Sequence, residues 1–323
     1  MIGGLILLLI IFSFLLVKAA DLVIVALRRI ARWTKTGVFA LSAVILAIGT
    51  SFPELFVGIT SAIEKEPSLS LGVILGSNIA NISLVAGLTA FVTGKVHVHG
   101  DFLKRDVWIA LVAGILPIIL ILDGELSRVD GLILLAAYGA YASSFFKTRF
   151  MEVAKEHKKE SFFYRFLRRF NHIKTRRTKE FGRLFVGIAL LLFSADVIVK
   201  ISTQLALIAN IPVFVIGLIL IAIGTSLPEF AFSLRTLEDH EPSMFFGNLL
   251  GSTIANSTLV IGTVSVIHPI KVLAVNQYFI AVIAFIVIFL SFWYFIRSKH
   301  RLDRWEAGIL LLLYAVFLII EFI

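Results

Sequence analysis

Two glutamates in apolar surroundings are the residues of this 323-residue chain best placed to do chemistry. Glu54 follows Pro53 in the stretch Ala47-Ile48-Gly49-Thr50-Ser51-Phe52-Pro53-Glu54-Leu55. Glu229 follows Pro228 in Ala222-Ile223-Gly224-Thr225-Ser226-Leu227-Pro228-Glu229-Phe230, the same pattern 175 positions later with only the two bulky apolar positions changed. A carboxylate near the middle of a membrane-length segment costs roughly 2.5–3.5 kcal/mol on insertion scales, so it normally faces a pathway or a partner. Proline removes a backbone donor and clashes with the carbonyl four residues back, Gly49 for Pro53 and Gly224 for Pro228, so a helix break is expected at each motif. In hydrocarbon such a break is tolerated only where it is buried in protein or lines a cavity, and a cation is one partner for the freed carbonyls.

The two copies continue in register without a gap. Gly76-Ser77-Asn78-Ile79-Ala80-Asn81 falls on Gly251-Ser252-Thr253-Ile254-Ala255-Asn256, Glu66-Pro67 on Glu241-Pro242, and Ala20-Asp21 on Ala195-Asp196. Thr50 and Glu54 lie four residues apart, as do Ser77 and Asn81, so each pair shares a helical face, and Thr225/Glu229 and Ser252/Asn256 repeat the arrangement. The four segments offer carboxylates, hydroxyls, amide oxygens and strained carbonyls, with no imidazole or thiolate. That set of hard oxygen donors suits Ca2+, Na+ or Mg2+ rather than zinc or copper. Bland readings stand beside this one: a protonated structural carboxyl or a lysine ion pair for each glutamate, and back-bonding to helix carbonyls for Ser51, Ser77, Ser226 and Ser252. Gly72, Gly76 and Ala80, matched by Gly247, Gly251 and Ala255, form stripes that permit close helix approach. Asp21 and Asp196 have Lys18 and Lys200 within a helical turn, which points to local pairing. His97, His99, His240 and His268 fall at span ends and in loops and receive no role.

The elements that must position these residues are transmembrane helices. Mean hydropathy is +0.98, and 59% of residues are apolar against 16% charged, a composition that indicates an all-α polytopic membrane protein. There is no cysteine, hence no disulfide and no thiolate metal site. The net charge of +9 gathers between apolar spans, where it reports orientation rather than nucleic-acid binding. Spans are expected at residues 2–26, 37–62, 69–92, 106–122 and 130–146, and again at 183–203, 212–234, 243–267, 272–296 and 304–322. That makes ten transmembrane helices in two five-helix repeats, 1–147 and 183–323, joined by a basic linker over 148–182. The first span is too long for a signal-peptide core and is read as retained.

Basic residues crowd alternate connections: Arg28, Arg29, Arg32 and Lys35; Lys95, Lys104 and Arg105; the linker; and Arg297, Lys299, Arg301 and Arg304. The remaining loops hold little beyond Lys65, Arg128 and Lys271. The positive-inside rule therefore places the linker in the cytoplasm and both termini outside the cell membrane. Five spans per half is odd, so the halves enter the membrane in opposite orientations, an inverted-topology repeat. The linker's aromatic-basic run, Phe162 to Phe170, suits an interfacial position, with anionic-lipid contact as its functional version. Glu64, Glu66, Glu238, Asp239 and Glu241 follow the two motif helices as solvated ends or as attractors of cations.

The sequence Gly-Thr-Ser-X-Pro-Glu followed by Gly-Ser-X-X-X-Asn in each half resembles the sodium/calcium exchanger family of the cation/calcium exchanger superfamily, most of all its short prokaryotic members. The resemblance spans nearly the whole chain. It implies a core of spans two, three, seven and eight, across which spans one and six, carrying Asp21 and Asp196, slide to alternate access. It implies that Glu54 and Glu229 with the carbonyls of Thr50 and Thr225 hold Ca2+. The Na+ sites would draw on Ala47, Thr50, Ser77 and Glu54, and on Ala222, Thr225, Ser252 and Glu229. Asn81 and Asn256 would line the centre, with Ser51 and Ser226 shaping it. Some relatives carry aspartate at one of the two asparagine positions, and potassium-dependent ones use it; asparagine at both speaks against potassium dependence. The proton-coupled branch typically has different residues before the glutamate. The expected activity is therefore a secondary antiport of Na+ against Ca2+, without a cofactor, with antiport of H+ against Ca2+ or another divalent cation as the alternative. No nucleophile or cofactor motif accompanies the glutamates to support an enzyme, and a channel with a carboxylate ring would need no counter-ion.

Overall fold

The computed structural model describes residues 2–33, 51–94, 96–97, 102–155, 177–238, 242–299 and 301–321. Ala47 and Thr50 of the expected site lie outside the described residues, as do His99, Asp239, His240, Glu241 and the aromatic-basic run of the linker.

The chain is mostly helical. Helix α1 spans Ile2–Trp33, α2 Phe52–Ile63 and α3 Pro67–Ala80; α3 passes through a π-helical turn at Asn81–Val85 into α4, Ala86–Thr93. Helices α5, Phe102–Leu120, and α6, Arg128–Lys155, follow. Helix α7 spans Arg177–Ala209, and α8, Val213–Ile216, leads through a second π turn, Gly217–Ile221, into α9, Ala222–Thr225. Next come α10, Leu227–Glu238, and α11, Pro242–Ile254, with a third π turn, Ala255–Val260, leading to α12, Ile261–Ile267. Helices α13, Val275–Lys299, and α14, Arg304–Glu321, close the chain. Seven helical stretches among the described residues are long and apolar enough to cross a membrane.

Helices α1, α6 and α7 run past the ends expected for their spans, so the segment expected as a linker is helical at both margins, to Lys155 and from Arg177. The extensions contain Arg, Lys, Glu and Met, all good helix formers, and no proline; the helix continues where the apolar run stops. Gly94 ends α4 at φ 98°, a positive φ that glycine adopts without a Cβ penalty.

Two short antiparallel ladders tie the loops together: β1, Val96–His97, pairs with β4, Arg301–Leu302, and β2, Glu125–Leu126, pairs with β3, Ile270–Lys271. Each joins a loop of the first half to a loop of the second. A capping box starts α6, where the Ser127 amide donates to Asp130 Oδ2 at 2.8 Å and the Asp130 amide to the Ser127 hydroxyl at 3.3 Å; at the start of α14 the Asp303 amide donates to Glu306 Oε2 at 2.9 Å.

The stretch Pro67–Thr93 lies at the centre, with 89% of its most apolar window buried, whereas Ile2–Ala26 is peripheral, with 22% buried. Glycines explain the close central packing. A Cβ on Gly72 would strike the Phe214 carbonyl, one on Gly76 the Leu218 carbonyl, and one on Gly217 the Leu69 carbonyl, so α3 crosses α8 and its π turn backbone to backbone. The larger core cluster includes the rings of Phe245, Phe246, Phe285, Phe289 and Phe292. A separate cluster unites α1 and α7 through Leu9, Leu16, Ala19, Leu191, Ala195 and Ile198, and it touches the rest through Val57, Leu69, Val73, Ile216 and Ile221. At one end of this pair the buried carboxylate of Glu180 accepts from Arg29 at 2.8 Å and from Arg183 at 2.7 Å. Leu7, Phe14, Phe185 and Leu207 are exposed on its outer surface, as lipid-facing residues of a membrane protein are.

Candidate ion-binding site

Each motif glutamate stands in the first turn of a helix, because the proline before it favours a helix start and opposes a helix interior. Ser51 is the N-terminal cap residue of α2, with φ −88° and ψ 7°. In the second copy the break falls at Ser226, between α9 and α10. Around it the Ser226 amide donates to the Ala222 carbonyl at 3.0 Å and the Phe230 amide to the Ser226 carbonyl at 3.1 Å. Pro228 has no amide hydrogen to give the Gly224 carbonyl. The partial positive charge of a helix N-terminus lies at both glutamates and favours their carboxylates there.

Glu54 and Glu229 are fully buried and near enough for their charges to interact. The hydroxyls of Thr225 and Ser77 lie beside the Glu54 carboxyl but outside hydrogen-bond geometry to it, and those two oxygens are 3.1 Å apart. Thr225 Oγ1 also approaches the Ala222 carbonyl at 3.3 Å, and the Ser252 hydroxyl donates to Glu229 Oε1 at 3.5 Å. Asn81 opens one π turn, Asn256 lies in another, and Ala222 directly follows the third. A π turn shifts side chains out of α-helical register and is frequent at functional sites.

Both oxygens of Glu54, Oε2 of Glu229, the hydroxyls of Ser51 and Ser226, and the amide oxygens of Asn81 and Asn256 are buried without a hydrogen-bond partner among the described residues. Buried polar atoms are almost always paired, and an unpaired one costs about 1–3 kcal/mol. All seven can ligate a hard cation. The described residues contain no cluster of three or more His, Cys, Asp or Glu, so the carboxylate pair is completed by neutral oxygens.

Of the expected residues, the structure brings Glu54, Glu229, Thr225, Ser77 and Ser252 together and leaves Ser51, Ser226, Asn81 and Asn256 buried with unpaired oxygens. Asp196 pairs with Lys200 at 2.8 Å, the local pairing its spacing suggested. The stripe at Gly72 and Gly76 is a true close contact, whereas no atom lies within 4 Å of a Cβ on Gly247 or Gly251 among the described residues. Asn78 and Ser257 join the site without having been expected there. Asn78 donates to the Ser257 hydroxyl at 2.8 Å and accepts from the Asn256 amide at 3.3 Å. The available signal was the difference between the copies, since Asn78 stands where the second copy has Thr253.

The family model described as sodium/calcium exchanger protein matches residues 4–147 and 179–323, and the chain belongs to that family. It is a multi-pass membrane protein and a transporter rather than an enzyme. It is 28% identical to the sodium/calcium exchanger MaX1 of Methanosarcina acetivorans over 95% of each chain. It is 29% identical to the inner membrane protein YrbG of Escherichia coli over 81% of this chain and 79% of that one. Among solved structures, the sodium-calcium exchanger NCX_Mj, soaked with Na+ and Ca2+, is 26% identical and superposes with a TM-score of 0.60, covering 98% of this chain and 97% of that one. The H+/Ca2+ exchanger CAX shares the fold, with a TM-score of 0.74 at 17% identity over 98% of this chain and 82% of that one.

Proposed function

We propose that the chain is a secondary antiporter that exchanges Na+ for Ca2+ by alternating access, with both ions held by Glu54, Glu229 and the neighbouring hydroxyl, amide and carbonyl oxygens. The observation that carries this reading is the pair of fully buried glutamates, one from each motif copy, among buried oxygens without partners in the described residues. Two carboxylates balance one Ca2+, and Na+ competes for overlapping oxygens. Moving the unneutralised pair through a low-dielectric passage costs several kcal/mol per charge, so occupied states cross and the charged empty state resists. Exclusion between the two ions then couples their movements. Relatives named as sodium/calcium exchangers agree with this reading.

The proposed frame is ten spans in two inverted halves, 1–147 and 183–323, with the 148–182 linker cytoplasmic, both termini outside the cell membrane and the linker's basic run on anionic lipid. The β ladders support the inversion. Shifted by the repeat spacing, to within a residue, β1 falls on β3 and β2 on β4, so the pair β1–β4 becomes the pair β3–β2. A two-fold axis in the membrane plane produces that exchange and sets one ladder on each face. The family model's two matched stretches also fall on the two proposed halves.

The test is Ca2+ uptake into proteoliposomes loaded with Na+, compared with equal Na+ on both sides and with a proton gradient alone. Uptake that requires outward Na+ supports the proposal. Uptake driven by the proton gradient replaces it with H+/Ca2+ antiport, and uptake without any counter-gradient replaces it with a channel.

A further inference from the structure

We infer that Asn78 is a positioning residue that sets which way the Asn256 amide faces, so that Asn256 presents its oxygen rather than its NH2 to the transported cation; this rests on the exchange reading above. The two amides and the Ser257 hydroxyl form one chain of hydrogen bonds. The Asn78 NH2 donates to the Ser257 hydroxyl at 2.8 Å, which commits the Asn78 oxygen to the opposite side. That oxygen accepts from the Asn256 NH2 at 3.3 Å. The Asn256 donor is thereby occupied, and its Oδ1 is left buried without a partner among the described residues. If Asn256 turned over alone, its oxygen would meet the Asn78 oxygen and the bond would be lost; because the Ser257 hydroxyl can donate as well as accept, the two amides keep both bonds only by turning together, so the orientation of Asn256 is tied to that of Asn78.

An amide has one face that binds cations and one that repels them, and the two have nearly the same shape. Packing alone therefore selects weakly between them, while a directional hydrogen bond selects strongly. The device exists once. At the position equivalent to Asn78, Thr253 donates to the Leu249 carbonyl of its own helix at 3.0 Å, and Ile82 stands where Ser257 does. Neither atom of the Asn81 amide has a partner among the described residues. The site thus combines one amide tied to a neighbouring amide with one that has no hydrogen-bond partner among the described residues, although the motif that carries them is duplicated.

The experiment measures Ca2+ KM and maximal rate in proteoliposomes, and Ca2+-dependent thermal stabilisation of purified protein, for wild type, Asn78→Ala, Asn256→Ala and the double variant. Loss of one orienting hydrogen bond is expected to raise the Ca2+ KM by about 5- to 30-fold with much less change in maximal rate. In the Asn256→Ala background, Asn78→Ala should add less than about a two-fold change, because its effect runs through Asn256. Ser257→Ala, which leaves both asparagines in place, should shift KM in the same direction and serves if Asn78→Ala does not fold. Independent, multiplicative effects of Asn78→Ala and Asn256→Ala overturn the inference, as does an unchanged KM in Asn78→Ala or, where that variant is unfolded, in Ser257→Ala. If the wild-type chain shows no Ca2+-dependent stabilisation, the exchange reading fails and the inference with it. Wild-type stabilisation that Asn78→Ala leaves intact removes the inference alone.

Discussion

Ser77 Oγ and Thr225 Oγ1 meet at 3.1 Å although 148 residues separate them in the chain. The contact joins the two motif copies beside the Glu54 carboxyl, so neither half holds the oxygen cluster alone. If these hydroxyls serve Na+ more than Ca2+, as the family resemblance implies, Ser77→Ala should raise the Na+ concentration for half-maximal exchange several-fold. The Ca2+ KM should change less. Parallel measurement of both constants in proteoliposomes checks this, and an equal rise in both would assign Ser77 to the Ca2+ ligands instead.

Glu54→Gln and Glu229→Gln each keep the shape of the site and remove one of the two charges that balance Ca2+. Removing one charge from a buried compensated set typically costs 3–5 kcal/mol, so Ca2+ exchange should fall by roughly 100-fold or more while the protein stays monodisperse. Full exchange by either variant in the vesicle assay would sink the proposed site.

Gly76→Ala should destabilise the protein by about 1–3 kcal/mol, because its Cβ would strike the Leu218 carbonyl and the Ala222 methyl where α3 crosses the π turn. Gly308→Ala in α14 meets nothing within 4 Å among the described residues and should be neutral or slightly stabilising. Thermal unfolding of the two variants in detergent gives the comparison.

Glu180 is buried between Arg29 and Arg183, which are partly exposed, and it ties α1 to α7 at one end. Glu180→Ala leaves two partly hydrated arginines and should cost about 1–3 kcal/mol, less than a fully buried network. If α1 and α7 move as one body, the exchange rate should fall in Glu180→Ala while the ion KM values hold. A double-mutant cycle with Arg29→Met, scored on both stability and rate, separates that coupling from simple destabilisation.

The chain has no cysteine, so single-cysteine variants report topology without background. Lys271→Cys, in the β2–β3 ladder, should react with an impermeant thiol reagent added outside cells. Arg301→Cys, in the β1–β4 ladder, should react only after permeabilisation. Labelling of both from the same side would remove the inverted frame.

The local sequence determined much of this protein. Hydropathy marks apolar helices, and Pro53 and Pro228 mark where helices restart, because both depend on neighbours within a turn or two; the four-residue spacings of Thr225 with Glu229 and Ser252 with Asn256 did not give shared α-helical faces, since the helix breaks at Ser226 and a π turn begins at Ala255. The family signature is local as well, carried by short runs of residues in each half. Only the tertiary structure decided which oxygens meet and which way they face. The Ser77–Thr225 contact, the Asn78–Asn256 hydrogen bond and the Glu180 cluster link residues about 150 to 180 positions apart. No periodicity encodes such distances. The π turns at Asn81, Gly217 and Ala255 were equally hidden, since no residue type marks a one-residue slip in a helix. Duplication predicts two equivalent half-sites, and the sequence departs from that at Asn78 against Thr253 and Ser257 against Ile82; packing decided what the difference does, because hydrogen bonds form between the side chains that meet, and Asn78 met Asn256 while Thr253 turned back to its own helix.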